Sequence, residues 1–360
     1  MGSFKKDALT DYALQKVLKD AEPIFGTETN VSTIPTERWM SKYADDVPIV
    51  RMNIPGTHDS ATWNYTLETQ AALAPVSALL GLPQLDPTFY QCQSISLASM
   101  LSKGIRAFDL RYAFDATKST LVFWHGSALL SETATVEDVL YAFYNWLDTH
   151  PSEALFLSFQ LERDKNSTDT QKELHRILSS PVAKHYINSA VGVFGTLGEA
   201  RGKITLLKRF VMDTIPNNGS LPGLDFSPPR WTDNSETPFV LEYSSSGRAW
   251  IEDYYQPRTA INSTASEDIQ IKFDAVQKNL RSAAGGDHPN DFFWTFTSAT
   301  KILNSPSLRP VDFAQGKDGA KGINEQLLTL LKELKGKRLG VVMMDFFHQP
   351  EGLVETLLGL

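Results

Sequence analysis

Short apolar runs recur along the chain from about residue 48 onward, and segments of mixed polar and apolar residues separate them. The candidate strands are Ile49–Ile54, Ile105–Tyr112, Leu121–Trp124, Ala154–Leu161, Ile204–Phe210, Phe239–Tyr243, Phe292–Thr297 and Leu339–Phe346. Several of these runs are apolar almost throughout. Continuous apolar runs are typical of parallel strands whose two faces are both covered.

The segments between the runs repeat their apolar residues at helical spacing. One stripe consists of Val136, Val139, Leu140, Phe143 and Leu147, and Thr135 is its predicted N-cap. Two further stripes are formed by Ile269, Phe273, Val276 and Leu280, and by Ile323, Leu327, Leu330, Leu331 and Leu334. This alternation predicts an α/β barrel or a doubly wound sheet, and a count of about eight strands favours the barrel.

Two segments do not follow the alternation. Ile215 to Pro238 is rich in proline, glycine, serine and asparagine, and it predicts a long surface loop because strand and helix patterns resume directly after it. Near the amino terminus, Leu9 to Ala21 has the spacing of a short amphipathic helix. The sequence assigns no function to this helix.

Composition narrows the function and the compartment. The formal net charge of −8 argues against nucleic acid as a partner and against a mainly electrostatic grip on an anionic membrane. The single cysteine, Cys92, excludes an internal disulfide. The amino terminus lacks the apolar core of a signal peptide, and no segment is apolar enough for a transmembrane helix. A cytoplasmic protein with peripheral membrane contact is therefore favoured, although secretion stays possible.

Candidate chemistry lies where apolar runs end. His58 follows the first run and His125 follows the third, and each lies close to a glycine that allows a sharp turn. Two imidazoles at strand ends suit acid–base chemistry on a phosphodiester, because one removes a proton while the other donates one. Between them, Asp109 and Arg111 share one face of a strand, and a guanidinium matches the paired oxygens of a phosphate. In an α/β barrel such strand ends converge on one rim.

These motifs, together with an ordered set of shorter ones, resemble the phosphatidylinositol-specific phospholipase C family of the X-domain type, and its bacterial metal-independent branch in particular. The shorter motifs are His-Pro-Ser-Glu at 150–153, Ala-Arg-Gly-Lys at 200–203, Leu-Leu-Lys-Arg at 206–209, Glu-Asp-Tyr-Tyr at 252–255 and Gly-Val-Val-Met-Met-Asp at 340–345. The resemblance covers residues 35–360 and implies a distorted TIM-type (β/α)8 barrel as a single domain. Residues 1–34 would then be an amino-terminal extension of unknown role.

The resemblance implies a phosphorus–oxygen lyase that cleaves phosphatidylinositol to diacylglycerol and inositol 1,2-cyclic phosphate. His58 would be the general base, and Asp345 would hold its imidazole in the productive tautomer. His125, assisted by Asp59, would protonate the leaving oxygen. Arg111 would grip the non-bridging phosphate oxygens and stabilise the charge that develops there.

The resemblance also implies a pocket for the inositol headgroup. Its expected residues are Arg209, Asp253, Tyr255, Glu162, Trp231 and Gln160. Bacterial relatives carry a lysine where this chain has Gln160, which donates hydrogen bonds but carries no charge. This departure affects the expected rate and headgroup preference more than the type of reaction.

No metal or other cofactor is expected, because Arg111 stands where calcium-dependent relatives have an acidic ligand. The expected partner is a phospholipid at a membrane surface, and the protein is expected to be a monomer. Two alternatives stay open: a metal-dependent glycerophosphodiesterase-like enzyme, and a non-catalytic inositol-lipid binding protein. The uncharged segment Ala71–Leu85 has two equal interpretations, a lipid-contacting element or a helix packed on the barrel.

Several of the candidate residues also have structural interpretations. Asp345 could cap a helix, and Asp109 could form an ion pair with either Arg106 or Arg111. Tyr255 and Trp231 could pack at the rim of the barrel. His150, His175, His185 and His288 are expected to be solvated surface residues.

Overall fold

The structure is a computed structural model that describes residues 2–28, 36–163, 167–216, 220–303 and 307–360, with the side chains of residues 2–7 left out. Its helices are α1 (Gly2–Phe25), α2 (Leu67–Leu79), α3 (Leu97–Ser102), α4 (Val136–Thr149), α5 (Thr168–Leu178), α6 (Pro181–Tyr186), α7 (Leu197–Ala200), α8 (Ala265–Gly285), α9 (Pro310–Gln315), α10 (Ile323–Glu333) and α11 (Leu353–Leu358). Its strands are β1 (Ile54–Thr57), β2 (Ala107–Phe114), β3 (Leu121–His125), β4 (Ala128–Leu129), β5 (Leu155–Leu161), β6 (Ile204–Arg209), β7 (Leu224–Asp225), β8 (Phe239–Glu242), β9 (Arg248–Glu252), β10 (Phe292–Phe296) and β11 (Val341–Met344).

The core of the fold is a curled sheet of parallel strands. Its order is β7-β6-β5-β2-β1-β11-β10-β9-β8, and every pairing from β7 to β9 is parallel. Strand β8 adds to β9 in the antiparallel direction, and no pairing among the described residues joins β8 to β7. The predicted α/β class and distorted barrel are therefore confirmed, with the barrel left open between its two outer strands.

Helices cover the outside of the sheet as their apolar stripes predict. In α4, Val136, Val139 and Phe143 are buried against the sheet. Thr135 caps this helix, because its hydroxyl oxygen accepts a hydrogen bond of 3.0 Å from the backbone N–H of Asp138. None of the helices in the described ranges combines the length and the apolar character needed to cross a bilayer.

The prediction for the first strand is wrong at its start. Residues Ile49–Arg51 form a 3₁₀ helix, and β1 begins only at Ile54. The backbone N–H of Arg51 donates to the carbonyl of Pro48 at 2.9 Å, which closes the 3₁₀ turn. Because proline cannot continue a sheet ladder on its N–H side, the apolar run at Ile49 enters a turn rather than the sheet.

Two of the predicted barrel strands run antiparallel to the neighbouring strands of the sheet. Strand β3 is antiparallel to β2, and β8 is antiparallel to β9. Their places among the parallel strands are taken by β7, which lies inside the segment 215–238 predicted as a loop, and by β9, which the apolar pattern did not reveal. Apolar periodicity reports whether a strand is buried but carries no information on its direction.

The amino-terminal extension is integrated into the fold. Helix α1 is longer than the predicted segment Leu9–Ala21, and it packs along α4, where the rings of Phe25 and Phe143 lie 5.1 Å apart. At its end, the carbonyl of Ile24 accepts a hydrogen bond of 2.6 Å from the indole N–H of Trp63. The expected domain boundary between residues 34 and 35 falls in segment 29–35, outside the described residues.

A buried ion pair lies at the amino-terminal end of the barrel strands. Arg106, directly before β2, donates from Nε and Nη2 to Oε2 of Glu153 at 2.9 and 2.8 Å, and both side chains are fully buried. Nearby, His150 is also buried, stacks on Trp146 at 4.1 Å between ring centroids, and lies 3.0 Å from Oε1 of Glu37. The expectation that His150 is a solvated surface residue is therefore wrong.

Candidate active site

Neighbouring strand ends bring His58 and Asp345 together. Thr57 at the end of β1 pairs with Met344 at the end of β11, and the two candidates are the next residue of each strand. Nδ1 of His58 lies 2.9 Å from Oδ1 of Asp345. Asp345 was expected either to contact His58 or to cap a helix, and the structure places it in contact with His58.

The other nitrogen of the His58 ring faces a guanidinium. Nη2 of Arg111 lies 2.8 Å from Nε2 of His58. Because a guanidinium can only donate, Nε2 must accept, and the ring proton lies on Nδ1 toward Asp345. Burial, reinforced by the charge of Arg111, holds the pKa of His58 well below its usual value. The ring is therefore neutral near pH 7, with its free electron pair on Nε2.

His125 also carries a proton on Nδ1, but its Nε2 faces a carboxyl group instead of a guanidinium. Its Nδ1 lies 2.7 Å from the carbonyl oxygen of Tyr90, which can only accept, so Nδ1 carries a proton. Its Nε2 lies 3.1 Å from Oδ2 of Asp59. Burial lowers the pKa of His125 to about 4, and burial raises the pKa of Asp59 well above its usual value. Nε2 and Oδ2 are close enough to exchange a proton, although Oδ2 makes no hydrogen bond of regular geometry among the described residues.

The two imidazoles open into one cleft. Their ring centroids are 6.5 Å apart and the rings are almost perpendicular, at 89°. The side chains of His58, Arg111 and His125 remain 12%, 15% and 18% exposed, whereas Asp59 beneath them is 1% exposed. A phosphate group in this cleft would therefore meet a proton acceptor, a proton donor and a fixed cation.

Asp109 supports the floor of the cleft. Its Oδ2 accepts from Nε of Arg111 and from the backbone N–H of Asp59, both at 3.3 Å. Of the two ion-pair partners considered for Asp109, the structure pairs it with Arg111, since Arg106 is bound to Glu153. Asp109 therefore fixes the guanidinium and the turn after β1 at once.

Strand register places three further polar residues in one row. Arg111 of β2 pairs with Gln160 of β5, and Gln160 pairs with Arg209 of β6. Partners in adjacent strands point to the same face of a sheet, so the row extends from the phosphate cleft into the expected headgroup pocket. Oε1 of Gln160 is buried and has no hydrogen-bond partner among the described residues.

The side of this pocket is built around Arg209. Its guanidinium lies 3.8 Å from the ring centroid of Trp231, in a cation–π contact, and 3.7 Å from the carboxylate of Asp253. The indole N–H of Trp231 donates to Oδ2 of Asp253 at 2.8 Å. Tyr255 is half-buried and donates from its hydroxyl to Asp233 at 3.0 Å. These contacts hold Arg209, Trp231 and Asp253 as one unit.

Glu162 contacts two parts of the cleft. Its Oε1 accepts a hydrogen bond of 2.7 Å from the backbone N–H of Gly126, in the turn directly after His125. The same oxygen lies 3.8 Å from Nη1 of Arg111. Glu162 thus connects Arg111 with the turn after His125. The sequence did not indicate this connection.

One group of side chains in the described part of the chain has the donor types of a metal site. Donor atoms of His58, Asp59 and Cys92 lie within 4.8 Å of one another. The guanidinium of Arg111 lies 2.8 Å from His58 and 3.2 Å from Asp59, so an incoming cation would face a fixed positive charge. Burial also raises the pKa of Cys92 well above its usual value, which keeps the thiol protonated. These residues do not fit a metal ion.

Comparisons with known proteins find relatives of one kind. A family model described as "Phosphatidylinositol-specific phospholipase C, X domain" matches residues 85–210. The chain is 24% identical to a 1-phosphatidylinositol phosphodiesterase of Listeria monocytogenes over 322 residues, which is 88% of this chain and 82% of that protein. It is 27% identical to the mouse "PI-PLC X domain-containing protein 1" over 311 residues, which is 83% of this chain and 78% of the relative.

Solved structures share the fold. A phosphatidylinositol-specific phospholipase C of Staphylococcus aureus matches with a TM-score of 0.71 at 19% identity, over 90% of this chain and 97% of that one. The Listeria monocytogenes enzyme matches with a TM-score of 0.62 at 20% identity, over 90% and 97% of the two chains. The family model, the curated relatives and the shared fold agree in one respect: this chain is similar to phosphatidylinositol-specific phospholipases C.

Proposed function

We propose that the protein is a phosphatidylinositol phosphodiesterase of the phospholipase C type that works by intramolecular acid–base catalysis. The observation that carries this proposal is the different surroundings of two Nε2 atoms in one cleft: Nε2 of His58 faces the guanidinium of Arg111, and Nε2 of His125 faces the carboxyl group of Asp59. The names of the bacterial relatives support phosphatidylinositol as the substrate.

The proposed first step forms a cyclic phosphate. Nε2 of His58 removes the proton of the inositol 2-hydroxyl, and the oxygen attacks phosphorus. The carboxylate of Asp345, 2.9 Å from Nδ1, stabilises the imidazolium that results. Arg111 turns from His58 to the non-bridging oxygens, where a planar fork fits two acceptors.

The same step releases the lipid. The bond between phosphorus and the glycerol oxygen breaks as the proton held by His125 and Asp59 passes to that oxygen, so diacylglycerol leaves uncharged. Inositol 1,2-cyclic phosphate remains in the cleft. A phosphodiester anion beside His125 favours its imidazolium form, which counteracts the lowering of its pKa by burial.

Binding of the headgroup is assigned to the pocket beside the cleft. Arg209 and Asp253 offer a donor and an acceptor to ring hydroxyls, and Tyr255 offers an aromatic face. Gln160 contributes a buried oxygen without a partner, which suits a hydroxyl donor of the substrate.

Both alternative functions are less compatible with the cleft. A metal-dependent glycerophosphodiesterase-like enzyme needs a cation where Arg111 already binds Asp59 and His58. A protein that only binds inositol lipid requires neither a base held in one tautomer by Asp345 nor a second imidazole placed against a buried carboxyl group. Activity in a strong chelator separates the first alternative, and activity itself separates the second.

The membrane would be reached through the rim of the barrel. In α2 only Leu73 and Ser77 are buried, while Leu79 is 81% exposed, which supports the lipid-contacting interpretation of this segment. On the loops after β9 and β10, Ile261 and Leu303 are also exposed. Lys301 joins these loops by donating to the carbonyl of Ala260 at 3.0 Å. The exposed leucines and isoleucine lie at the carboxyl-terminal side of the strands, as does the cleft.

Phosphorus NMR of phosphatidylinositol vesicles in the presence of a chelator tests the chemistry. The expected first product is a five-membered cyclic phosphate, and His58→Ala or His125→Ala should slow its formation by about 10²–10⁴-fold. Phosphatidic acid or a linear phosphate with no cyclic species would contradict the mechanism. Loss of activity in chelator, restored by calcium, would favour the metal-dependent alternative.

Comparison of two substrates tests the membrane contact. Leu79→Asp should lower activity on vesicles far more than activity on a soluble inositol phosphodiester. Val191→Asp is the matched control, because Val191 is 70% exposed but lies between α6 and α7, on the connection that leads to the start of β6. Equal losses on both substrates for Leu79→Asp would favour the packing interpretation.

A further inference from the structure

One buried glutamine joins the ends of the two strands that carry His58 and Asp345. The side-chain nitrogen of Gln93 donates to the carbonyl oxygens of His58 and Met344, each at 2.8 Å. Because carbonyl oxygens only accept, the amide nitrogen must face them, and both of its protons are used. Gln93 itself is fully buried and does not reach the cleft.

The two turns that Gln93 joins are both strained. Asp59 has a φ of 43° and Phe346 a φ of 45°, a region that side chains other than glycine rarely adopt. Such conformations persist only where neighbouring groups hold them. The turn after β1 and the turn after β11 therefore need external support.

The residue before Gln93 supplies part of this support. The carbonyl of Cys92 accepts from the backbone N–H of Phe346 at 3.0 Å. Its N–H donates at 2.9 Å to the hydroxyl of Thr62, which in turn donates to the carbonyl of Asp59 at 2.7 Å. Residues 92 and 93 thus hold both strained turns from below.

We propose that Gln93 is a positioning residue of the reaction, which fixes His58 against Asp345 by tying the two strand ends together. This inference rests on the proposed function of the cleft and deepens it. The hydrogen bond between Nδ1 of His58 and Oδ1 of Asp345 spans two separate strands, so its length depends on how those strand ends are held. Gln93 acts on the base through the backbone and does not touch the reacting atoms.

Gln93→Met tests the inference, because methionine has a similar length but no donor. We expect kcat on a soluble inositol phosphodiester to fall about 10²-fold while KM is unchanged, since a displacement of about 1 Å at a catalytic group has this effect. Gln171→Met is the matched control. Gln171 is also buried and donates to Asp213 at 2.8 Å, outside the two turns, so its loss should leave kcat near the wild-type value. Equal kcat for Gln93→Met and wild type would overturn the proposal.

Proton NMR gives a readout that does not require turnover. The downfield resonance of the His58–Asp345 hydrogen bond should weaken or broaden in Gln93→Met and persist in Gln171→Met. In the wild-type protein, both side-chain amide protons of Gln93 should exchange slowly with solvent, and rapid exchange of both would overturn the proposal even if Gln93→Met does not fold. A wild-type protein that gives these signals without cleaving phosphatidylinositol would contradict the proposed function and leave the positioning intact.

Discussion

An arginine lies near each end of strand β2. The two arginines differ in whether the guanidinium still has a donor available for a ligand. Arg106, before the strand, is fully buried and bound by Glu153 and by the carbonyls of Leu101, Ile105 and Glu37. Arg111, near the other end, is 15% exposed and contacts groups that can change their protonation state. The first guanidinium has no donor left for a ligand, whereas the second can exchange a partner.

The difference lies in the partners rather than in the arginine. Carbonyl oxygens and a fully buried carboxylate give Arg106 a closed set of acceptors, so its role is to stabilise the fold. Arg111 instead lies among His58, Asp59 and Asp109, two of which have pKa values that burial displaces strongly. A buried cation next to displaced titratable groups is typical of reactive sites. Four substitutions separate the two roles.

Arg111→Lys should have the largest effect. Lysine keeps the charge but cannot contact Asp59, Asp109 and a phosphate with one planar fork, so kcat should fall on the order of 10²–10³-fold. The unfolding midpoint should change little. Steady-state kinetics on a soluble substrate measures this, with the exposed Arg281→Lys as a control. Wild-type kcat in Arg111→Lys would remove the phosphate-binding role.

Glu153→Gln should act on stability instead. It leaves the guanidinium of Arg106 buried without a carboxylate, and the free energy of unfolding should fall by about 3–5 kcal/mol. Chemical denaturation measures the loss, and kcat per folded molecule should stay at the wild-type value. Glu333→Gln, which removes the exposed partner of Arg281, should leave stability almost unchanged. A lower kcat with intact stability for Glu153→Gln would reverse the comparison.

Asp59→Asn should change the pH dependence. A carboxylate beside His125 stabilises its imidazolium, so the amide should lower the pKa of His125 and move the alkaline limb of kcat/KM to lower pH. In the proposed mechanism the acid limb reports His58, whose Nε2 lies farther from Oδ2 of Asp59, at 3.9 Å, so this limb should move less than the alkaline limb. Profiles of kcat/KM for both proteins across pH test this, and an alkaline limb at the wild-type position would separate Asp59 from the proton donor.

Asp109→Asn should have the smallest effect. Asparagine can still accept from Nε of Arg111, but it loses the charge that holds the guanidinium, so kcat should fall about tenfold. Ser158→Ala is the control, since its hydroxyl lies 3.5 Å from the other oxygen of Asp109 and away from Arg111. A loss as large as that of Arg111→Lys would show that the carboxylate itself takes part in the reaction.

Much of the fold followed from the apolar pattern, and the pattern failed for two separate reasons. Strands β2, β5, β6 and β10 were found because each is buried on both faces. Strand β9, which begins with Arg248 and ends with Glu252, was missed because its charged ends interrupt the apolar run. The direction of β3 and β8 was wrong, since hydrogen-bonding direction depends on the path of the connections and not on side-chain pattern.

For the candidate site, the sequence indicated side chains but not backbone contacts. His58, His125, Arg111 and Asp345 stood out through residue type and resemblance, and the structure brings them to one cleft. Gln93 and the carbonyl of Tyr90 gave no such indication, because an amide or a carbonyl acquires its role only from the atoms that the fold places opposite it.

The hydrogen bond between the end of α1 and Trp63 bears on any shortened version of the protein. Trp63 lies in the 3₁₀ helix Ser60–Asn64, directly after His58 and Asp59. Deleting the first helix would strip the acceptor from this indole and uncover the apolar side of α4. A chain without α1 would thus have a looser loop next to His58. We therefore expect that the smallest active form of the protein includes α1.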